Sequence, residues 1–388
     1  MKPFIKWPGG KSDELKIILN NLPLEINNYY EPFVGGGAVY LGLDNLNRYY
    51  INDKSNELMG LYKAIKEQDE TFFYAIKEID KCWKLLEDIT EEHVVEFVDL
   101  YERYKNYLIT DKELSLYIKD FIITNSDDFN GMLNDQFIID GKRVLKELYK
   151  GVFQRLKRMR VLEQRMGDLT TEDVKINIET GFKSGLYTHF RYLYNHSENI
   201  DSNFKSAIFY FIREYCYSSM FRYNKNNCFN VPYGGISYNR KYLTKKIEYM
   251  ESKEIISRLR KTNISSLDFE NFMEVYGPSK GDFIFLDPPY DSSFSTYANN
   301  SFDASDQIRL SNFCKNIQAN FMLVIKNTDF IYELYKDFNI KSFDKKYLVS
   351  FKNRNDKKAK HLIITNYKLE EGKSCTQKLK LGEQLSLY

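Results

Sequence analysis

The sequence predicts an α/β fold in which an open, mainly parallel sheet is interrupted by a long, mainly helical insertion. Three observations predict it. Short apolar runs end in a glycine-rich turn or in an acid, a central block carries helical rather than strand periodicity, and the chemically distinctive residues sit where the apolar runs stop. Near-continuous apolar strands suit a sheet covered on both faces, and open sheets of that kind bind ligands beyond the carboxyl ends of their strands.

Taken in order, residues 29–34 (YYEPFV) read as a strand running into GGGA, and residues 49–53 (YYIND) as a second strand ending in an acid. Asp282 to Leu286 (DFIFL) is a buried-type strand that stops at Asp287; Phe321 to Ile325 (FMLVI) is another, and His361 to Thr365 (HLIIT) reads as one more. From about 60 to 250 the pattern changes. Thr71–Leu86, Glu91–Tyr107 and Val144–Met166 have apolar residues at helical spacing and few strand signals. The polar tail after Tyr367 reads as loosely ordered.

Charge is segregated although the net charge is only +2. Lys142 to Arg165 holds nine basic residues (142, 143, 146, 150, 155, 157, 158, 160, 165) against Glu147 and Glu163. Lys341 to Lys360 holds eight against Asp344 and Asp356, whereas Leu85 to Glu102 has seven acids and no Lys or Arg. Such runs build positive surfaces that phosphates would find, or simply solvated helix faces.

The composition excludes several classes. An aromatic content of 16% is not that of a disordered chain. No uncharged apolar stretch is long enough to span a membrane, and the first residues, MKPFIKWPGGKS, lack the apolar run of a signal peptide. The five cysteines (Cys82, Cys216, Cys228, Cys314, Cys375) never form a CxxC pair, and only four His are present. That argues for reduced thiols in the cytoplasm and against a disulfide framework or a metal site.

The most distinctive segment is Asp287-Pro288-Pro289-Tyr290 after an apolar strand. Two prolines remove two backbone donors and fix φ twice, giving a stiff corner that presents a carboxylate, free carbonyls and an aromatic ring. An exocyclic amine conjugated to a base is a poor nucleophile because its lone pair is delocalised. Two acceptors on its hydrogens would pull the nitrogen towards tetrahedral geometry, while a stacked Tyr290 held the base in line with a methyl donor. The plain alternative is an Asp-Pro turn beside a core tyrosine. Gly35-Gly36-Gly37-Ala38 would let a cofactor lie against bare backbone, but the sixth position from Gly35 is Tyr40, so this is not the dinucleotide fingerprint. Asp53 is placed to accept hydrogen bonds from ribose hydroxyls, or to cap a turn. Lys6-Trp7-Pro8-Gly9-Gly10-Lys11-Ser12 looks like a phosphate loop, yet the position that must be Gly is Ile5 and no strand precedes it.

The order KWPGGKS, EPFVGGGA, YIND, DPPY resembles the Dam-like, D12-class (alpha-group) N6-adenine DNA methyltransferases. Arg222-Tyr223-Asn224 through Phe229-Asn230-Val231-Pro232-Tyr233-Gly234 is similar to that family's recognition hairpin, and Ser295-Thr296-Tyr297 with Phe302 to its loop after DPPY. The resemblance covers about 1–65 and 205–367 and leaves 66–204 without a counterpart. It implies a Rossmann-like class I methyltransferase sheet built from 1–65 and 255–370, a target-recognition domain over 66–254 with a DNA-facing hairpin at about 217–238, and a tail at 371–388.

By the same resemblance Trp7, Lys11, Asp53 and Asp287 contact S-adenosylmethionine; Phe33, Gly35 and Gly37 line that site, and Phe269 walls the cofactor's adenine. Asp287, Pro288 and Tyr290 hold the target base. Tyr223 and Asn224 lie near the flipped base, and Arg222, Asn230 and Pro232 along the hairpin. The expected partner is double-stranded DNA, with no metal, a monomer as the default, and any cognate restriction endonuclease a separate protein. An RNA base or a protein amide as substrate, or a DNA-binding module without catalysis, are the alternatives. Asp287, where protein-glutamine enzymes carry Asn and cytosine-N4 enzymes usually Ser, favours DNA adenine.

Overall fold

The computed structural model describes residues 1–43, 45–130, 141–198, 200–289, 302–346 and 358–369. The chain separates into two compact units, one of Met1–Lys63 with Lys253–Tyr388 and the other of Ala64–Ser252.

The first unit is built on a seven-stranded sheet. In chain order the strands are β1 (Asn28–Glu31), β2 (Arg48–Asn52), β3 (Thr262–Ser265), β4 (Phe283–Leu286), β5 (Asn320–Lys326), β6 (Asn339–Lys346) and β7 (Lys358–Thr365). They lie side by side in the order β3-β2-β1-β4-β5-β7-β6. The first five are parallel, and β7 runs antiparallel to both β5 and β6. All four residues of β4 and five consecutive residues of β5 are buried, as expected of strands covered on both faces. The strand order reverses between β1 and β4, where diverging connections open a crevice at the carboxyl ends.

Two strands were not visible in the sequence. β3 (TNIS) and β6 (NIKSFDKK) are the two edges of the sheet; the charges of β6 are one way proteins keep an edge from pairing with another chain, while β3 is short and polar. β1 is also shorter than YYEPFV suggests: it stops at Glu31, because Pro32 has no N–H to donate to the ladder.

The second unit is helical, with long helices at Glu70–Glu92, Gly141–Met166, Thr171–Asn195 and Ser202–Tyr215. Thr170 starts the third of these with a capping box closed by Asp173. Helices Gly141–Met166 and Thr171–Asn195 form a hairpin that closes at glycines: a Cβ on Gly151 would lie 2.1 Å from the Gly181 carbonyl oxygen. Several cations of the basic run are engaged within this unit. Lys157 pairs with Asp111 at 2.6 Å, and the Arg160 guanidinium lies 3.9 Å from the Tyr104 ring centre. Lys142, Lys146, Lys150, Arg158 and Arg165 remain exposed along helix Gly141–Met166. Among the described residues no helix is long and apolar enough to cross a membrane.

Candidate active site

β1 delivers the chain into a turn with bare backbone. The Val34 amide donates to the Asn52 carbonyl at 2.9 Å, tying the turn to the end of β2. Gly35 and Gly37 then take φ of +49° and +72°, a region unfavourable to residues with a Cβ. Space enforces the same choice. A Cβ on Gly35 would stand 2.8 Å from Trp7 Cδ1, and one on Gly37 would stand 2.5 Å from the Tyr62 hydroxyl, which itself donates to the Gly35 carbonyl at 3.2 Å.

β2 ends in two polar residues with different work. Asn52 is buried and uses both ends of its amide: Nδ2 donates to the carbonyls of Pro32 (3.1 Å) and Leu267 (3.0 Å), and Oδ1 accepts from the Ser265 hydroxyl and the Leu267 amide. One side chain thereby fixes the exits of β1, β2 and β3. Asp53 accepts from the Gly35 amide at 3.1 Å and the Ser55 amide at 2.9 Å. Burial outweighs these two bonds and lifts its carboxyl from 3.8 to about 6.

β4 ends at Asp287. Its Oδ1 lies 2.5 Å from Lys11 Nζ, which also donates to the Gly9 carbonyl at 3.1 Å. Lys11 is 3% exposed and Asp287 18%, so the lysine is sequestered while the carboxylate retains an open edge. Beneath them, Glu31 is buried, and burial pushes its carboxyl well up despite donors from Tyr29 (2.8 Å) and the Tyr40 amide (3.2 Å). Pro288 and Pro289 follow, and the Pro289 carbonyl accepts from Gln307 Nε2 at 3.3 Å. Tyr290 and Ser295-Thr296-Tyr297 lie outside the described residues.

Three aromatic rings line the same cavity. Phe33 is 5.7 Å from Phe269 and 5.5 Å from Phe302, centre to centre. Asp268 caps the helix Phe269–Tyr276 and so fixes where Phe269 begins. Arg309 sits 4.9 Å from the Phe269 ring centre and binds three carboxylates: Asp268 at 2.7 Å, Glu270 at 2.5 Å and Asp306 at 2.7 Å. Trp7, Lys11, Phe33, Gly35, Gly37, Asp53, Phe269, Asp287 and Pro288 all line one cavity of about 230 Å³. Sequence reading missed Asn52, Tyr62, Asp306, Gln307 and Arg309. Asn52 stands inside YIND beside Asp53 but carried no role of its own, the other four belong to no motif, and it is their contacts in the fold that single all five out.

In the second unit, residues 215–234 double back on themselves. The Asn230 amide donates to the Arg222 carbonyl and the Asn224 amide to the Cys228 carbonyl. Helix Thr171–Asn195 holds the returning arm: Tyr187 and Arg191 donate to the Val231 carbonyl (2.8 and 3.0 Å), while Asn195 both donates to Phe229 O and accepts from Phe229 N. Residues four apart on a helix share a face, so 187, 191 and 195 act as one strip of partners for the backbone of Phe229 and Val231. Arg222, Asn224, Asn230 and Pro232 are exposed. Tyr223 is half-buried with its hydroxyl 2.9 Å from that of Tyr194, and Asn224 Oδ1 accepts from the amides of Asn226 and Cys228 to close the tip. These two residues therefore build the hairpin, whatever else they contact.

An open sheet of this order, with a cavity at its switch point bounded by a glycine turn, an acid after β2 and an Asp-Pro-Pro corner after β4, defines a class I methyltransferase. The chain belongs to the D12 class of N6 adenine-specific DNA methyltransferases, whose family model matches residues 7–138 and 138–349. It is an adenine-specific DNA methyltransferase. It is 28% identical to the Type II methyltransferase M.CviBI of Paramecium bursaria Chlorella virus NC1A, over 95% of this chain and 100% of the relative. It is 29% identical to the Type II methyltransferase M.MjaIII of Methanocaldococcus jannaschii, over 95% and 99%, and 22% identical to a DNA adenine methylase of Vibrio cholerae, over 84% and 82%. The family match runs through 66–204, which corrects the expectation that this block has no counterpart.

Proposed function

We propose that this enzyme transfers the methyl group of S-adenosylmethionine to the N6 of an adenine rotated out of double-stranded DNA. The observation that carries this reading is the cavity that gathers Trp7, Lys11, Phe33, Gly35, Gly37, Asp53, Phe269 and Asp287. The donor set fits the cofactor. Asp53 is a single acceptor positioned for ribose hydroxyls, the Phe33, Phe269 and Phe302 rings suit a purine, and Gly35 and Gly37 offer backbone that a Cβ would obstruct. When bound, S-adenosylmethionine supplies an electrophilic methyl group on its sulfonium.

The chain's own residues then prepare the nucleophile. The Asp287 carboxylate and the Pro288 carbonyl accept hydrogen bonds from the two amine hydrogens, drawing the nitrogen out of conjugation, and Tyr290 stacks on the base. Lys11 pairs with Asp287 at 2.5 Å and keeps its carboxylate aimed. Extruding the base costs on the order of a few kcal/mol, offset by contacts in the pocket. The exposed lysines and arginines of helix Gly141–Met166 bind phosphates, while Arg222, Asn230 and Pro232 of the hairpin meet base edges.

The Type II methyltransferase relatives, which span nearly the whole chain, support a role as the protective half of a restriction–modification system in the cytoplasm. Its endonuclease would be a separate protein, and the methyltransferase would work as a monomer.

The test is long-read, modification-sensitive sequencing of a methylation-free bacterial host expressing the wild type or Asp287→Ala. N6-methyladenine at one short motif in the wild type only is the expected result. Absence of any modified base from a wild type that binds S-adenosylmethionine would overturn DNA as the substrate.

A further inference from the structure

The corner that grips the amine has an unusual weakness. Because residues 288 and 289 are both proline, it has no N–H of its own there, and so it cannot be anchored by donating. At the two prolines only the carbonyls can be held, while Lys11 holds the Asp287 carboxylate. Among the described residues no backbone amide donates to the Pro288 carbonyl, which is the one required by the substrate. The Pro289 carbonyl accepts from Gln307 Nε2 at 3.3 Å.

Gln307 is completely buried in the first turn of the helix Ala304–Asn316. Asp303 and Asp306 lock the start of that helix in a reciprocal capping box, and Asp306 is tied in turn to Arg309 at 2.7 Å. The amide of Gln307 therefore stands on a rigid support. Its Oε1 is buried and accepts nothing among the described residues. That orphan acceptor carries information about orientation. Turning the amide over would aim Oε1 at the Pro289 carbonyl, oxygen against oxygen, so the Nε2 contact alone decides which way the group points. A buried acceptor left without a donor is unfavourable for folding, and a hydrophobic residue of the same length would avoid it. Among the described residues, the hydrogen bond to the Pro289 carbonyl is the contact that calls for glutamine here.

We infer that Gln307 is a positioning residue for methyl transfer: by holding the Pro289 carbonyl it fixes the peptide planes of the corner and keeps the Asp287 carboxylate and the Pro288 carbonyl aimed together at the target amine. The inference rests on the reading of that corner as the amine clamp. Gln307 does not line the cavity.

The test compares the full-length wild type with Gln307→Met, which keeps length and apolar bulk but cannot donate, and Gln307→Glu, which keeps shape but presents an ionised acceptor. Each is assayed with radiolabelled S-adenosylmethionine and genomic DNA from a methylation-free host, alongside calorimetric cofactor binding and thermal melting. Misplacing a reacting group by a fraction of an ångström predicts a kcat about 10- to 100-fold lower in both variants, with cofactor affinity held within about twofold. The melting temperature of Gln307→Met should equal or exceed the wild type's. A normal kcat in Gln307→Met would overturn the proposal, as would a joint fall in melting temperature and cofactor affinity, which would make Gln307 a packing residue. A wild type that binds cofactor yet methylates no DNA would instead remove the clamp reading itself.

Discussion

Lys11 Nζ and Asp287 Oδ1 lie 2.5 Å apart, joining the first turn of the chain to the end of β4. The lysine is 3% exposed, so the pair survives only as a pair: removing one partner strands a buried charge, at a cost of about 3–5 kcal/mol. Asp287→Ala should therefore lose both transfer and stability. Asp287→Asn leaves Lys11 an acceptor and should lose transfer while melting within a few degrees of the wild type. Differential scanning calorimetry beside a methyl-transfer assay separates the two effects. Equal destabilisation by both variants would contradict the pairing.

Asp53 gives a pH signature. With its carboxyl lifted to about 6 by burial, the ionised form that accepts ribose hydroxyls is depleted below that pH. Cofactor affinity should be flat above about 7 and weaken about tenfold by one unit below the pKa. Asp53→Asn should bind more weakly and lose this dependence between pH 5 and 7, as titration calorimetry would reveal. Stability runs the opposite way. The folded chain holds this proton more tightly than the unfolded chain, so the group stabilises the fold fully below 3.8, and that contribution is lost as pH rises through about 6.

Gly37 combines a φ of +72° with a Cβ position 2.5 Å from the Tyr62 hydroxyl. Gly37→Ala should cost about 1–3 kcal/mol in backbone strain, with the clash adding to it. Cofactor binding should fall more than overall stability, because the displaced turn is part of the binding surface. Gly9, with φ +79° and nothing within 4 Å of a Cβ, is the control that carries strain without a clash.

Arg309 holds Asp268, Glu270 and Asp306 together against the face of Phe269. Arg309→Met keeps the side-chain stem and removes the charge, leaving three carboxylates to repel one another. The expected result is a cofactor Kd raised about tenfold with kcat nearly unchanged, the signature of lost uniform binding. High salt should partly restore affinity by screening the carboxylates.

Asn195 makes two hydrogen bonds to the backbone of Phe229 and so fixes the register of the hairpin. Asn195→Ala should weaken DNA binding and blur sequence selection while leaving cofactor affinity at the wild-type value. Filter binding on specific and unrelated duplexes would measure both, and an unchanged specificity ratio would remove the hairpin from target reading.

How much of this could be read beforehand depends on how local the cause is. β1, β2, β4, β5 and β7 were legible, since a strand buried on both faces must be apolar along its length, and their order places the Asp287 corner, Asp53 and the glycine turn at one end of the sheet. The edges β3 and β6 were not, because an edge strand pairs on one side only and tolerates a polar composition that hides the strand pattern. Trp7, Lys11, Phe33, Asp53, Phe269 and Asp287 were singled out through motif resemblance, and the fold brings them to one cavity.

The residues that brace those side chains carried no assigned role, although Asn52 stands in YIND beside Asp53. Asn52 satisfies three strand exits, Gln307 holds a proline carbonyl outside its own helix, and Arg309 joins two acids distant in sequence, Asp268 and Glu270, to Asp306 on its own helix. The amino-acid sequence by itself determined the chemistry, because an Asp-Pro-Pro corner, a glycine turn and an isolated acid are local facts about backbone freedom and charge. Only the tertiary structure decided how that chemistry is aimed. Hydrogen bonds and ion pairs act over about 3 Å, and which groups come that close is fixed by the packing of the whole sheet and its helices.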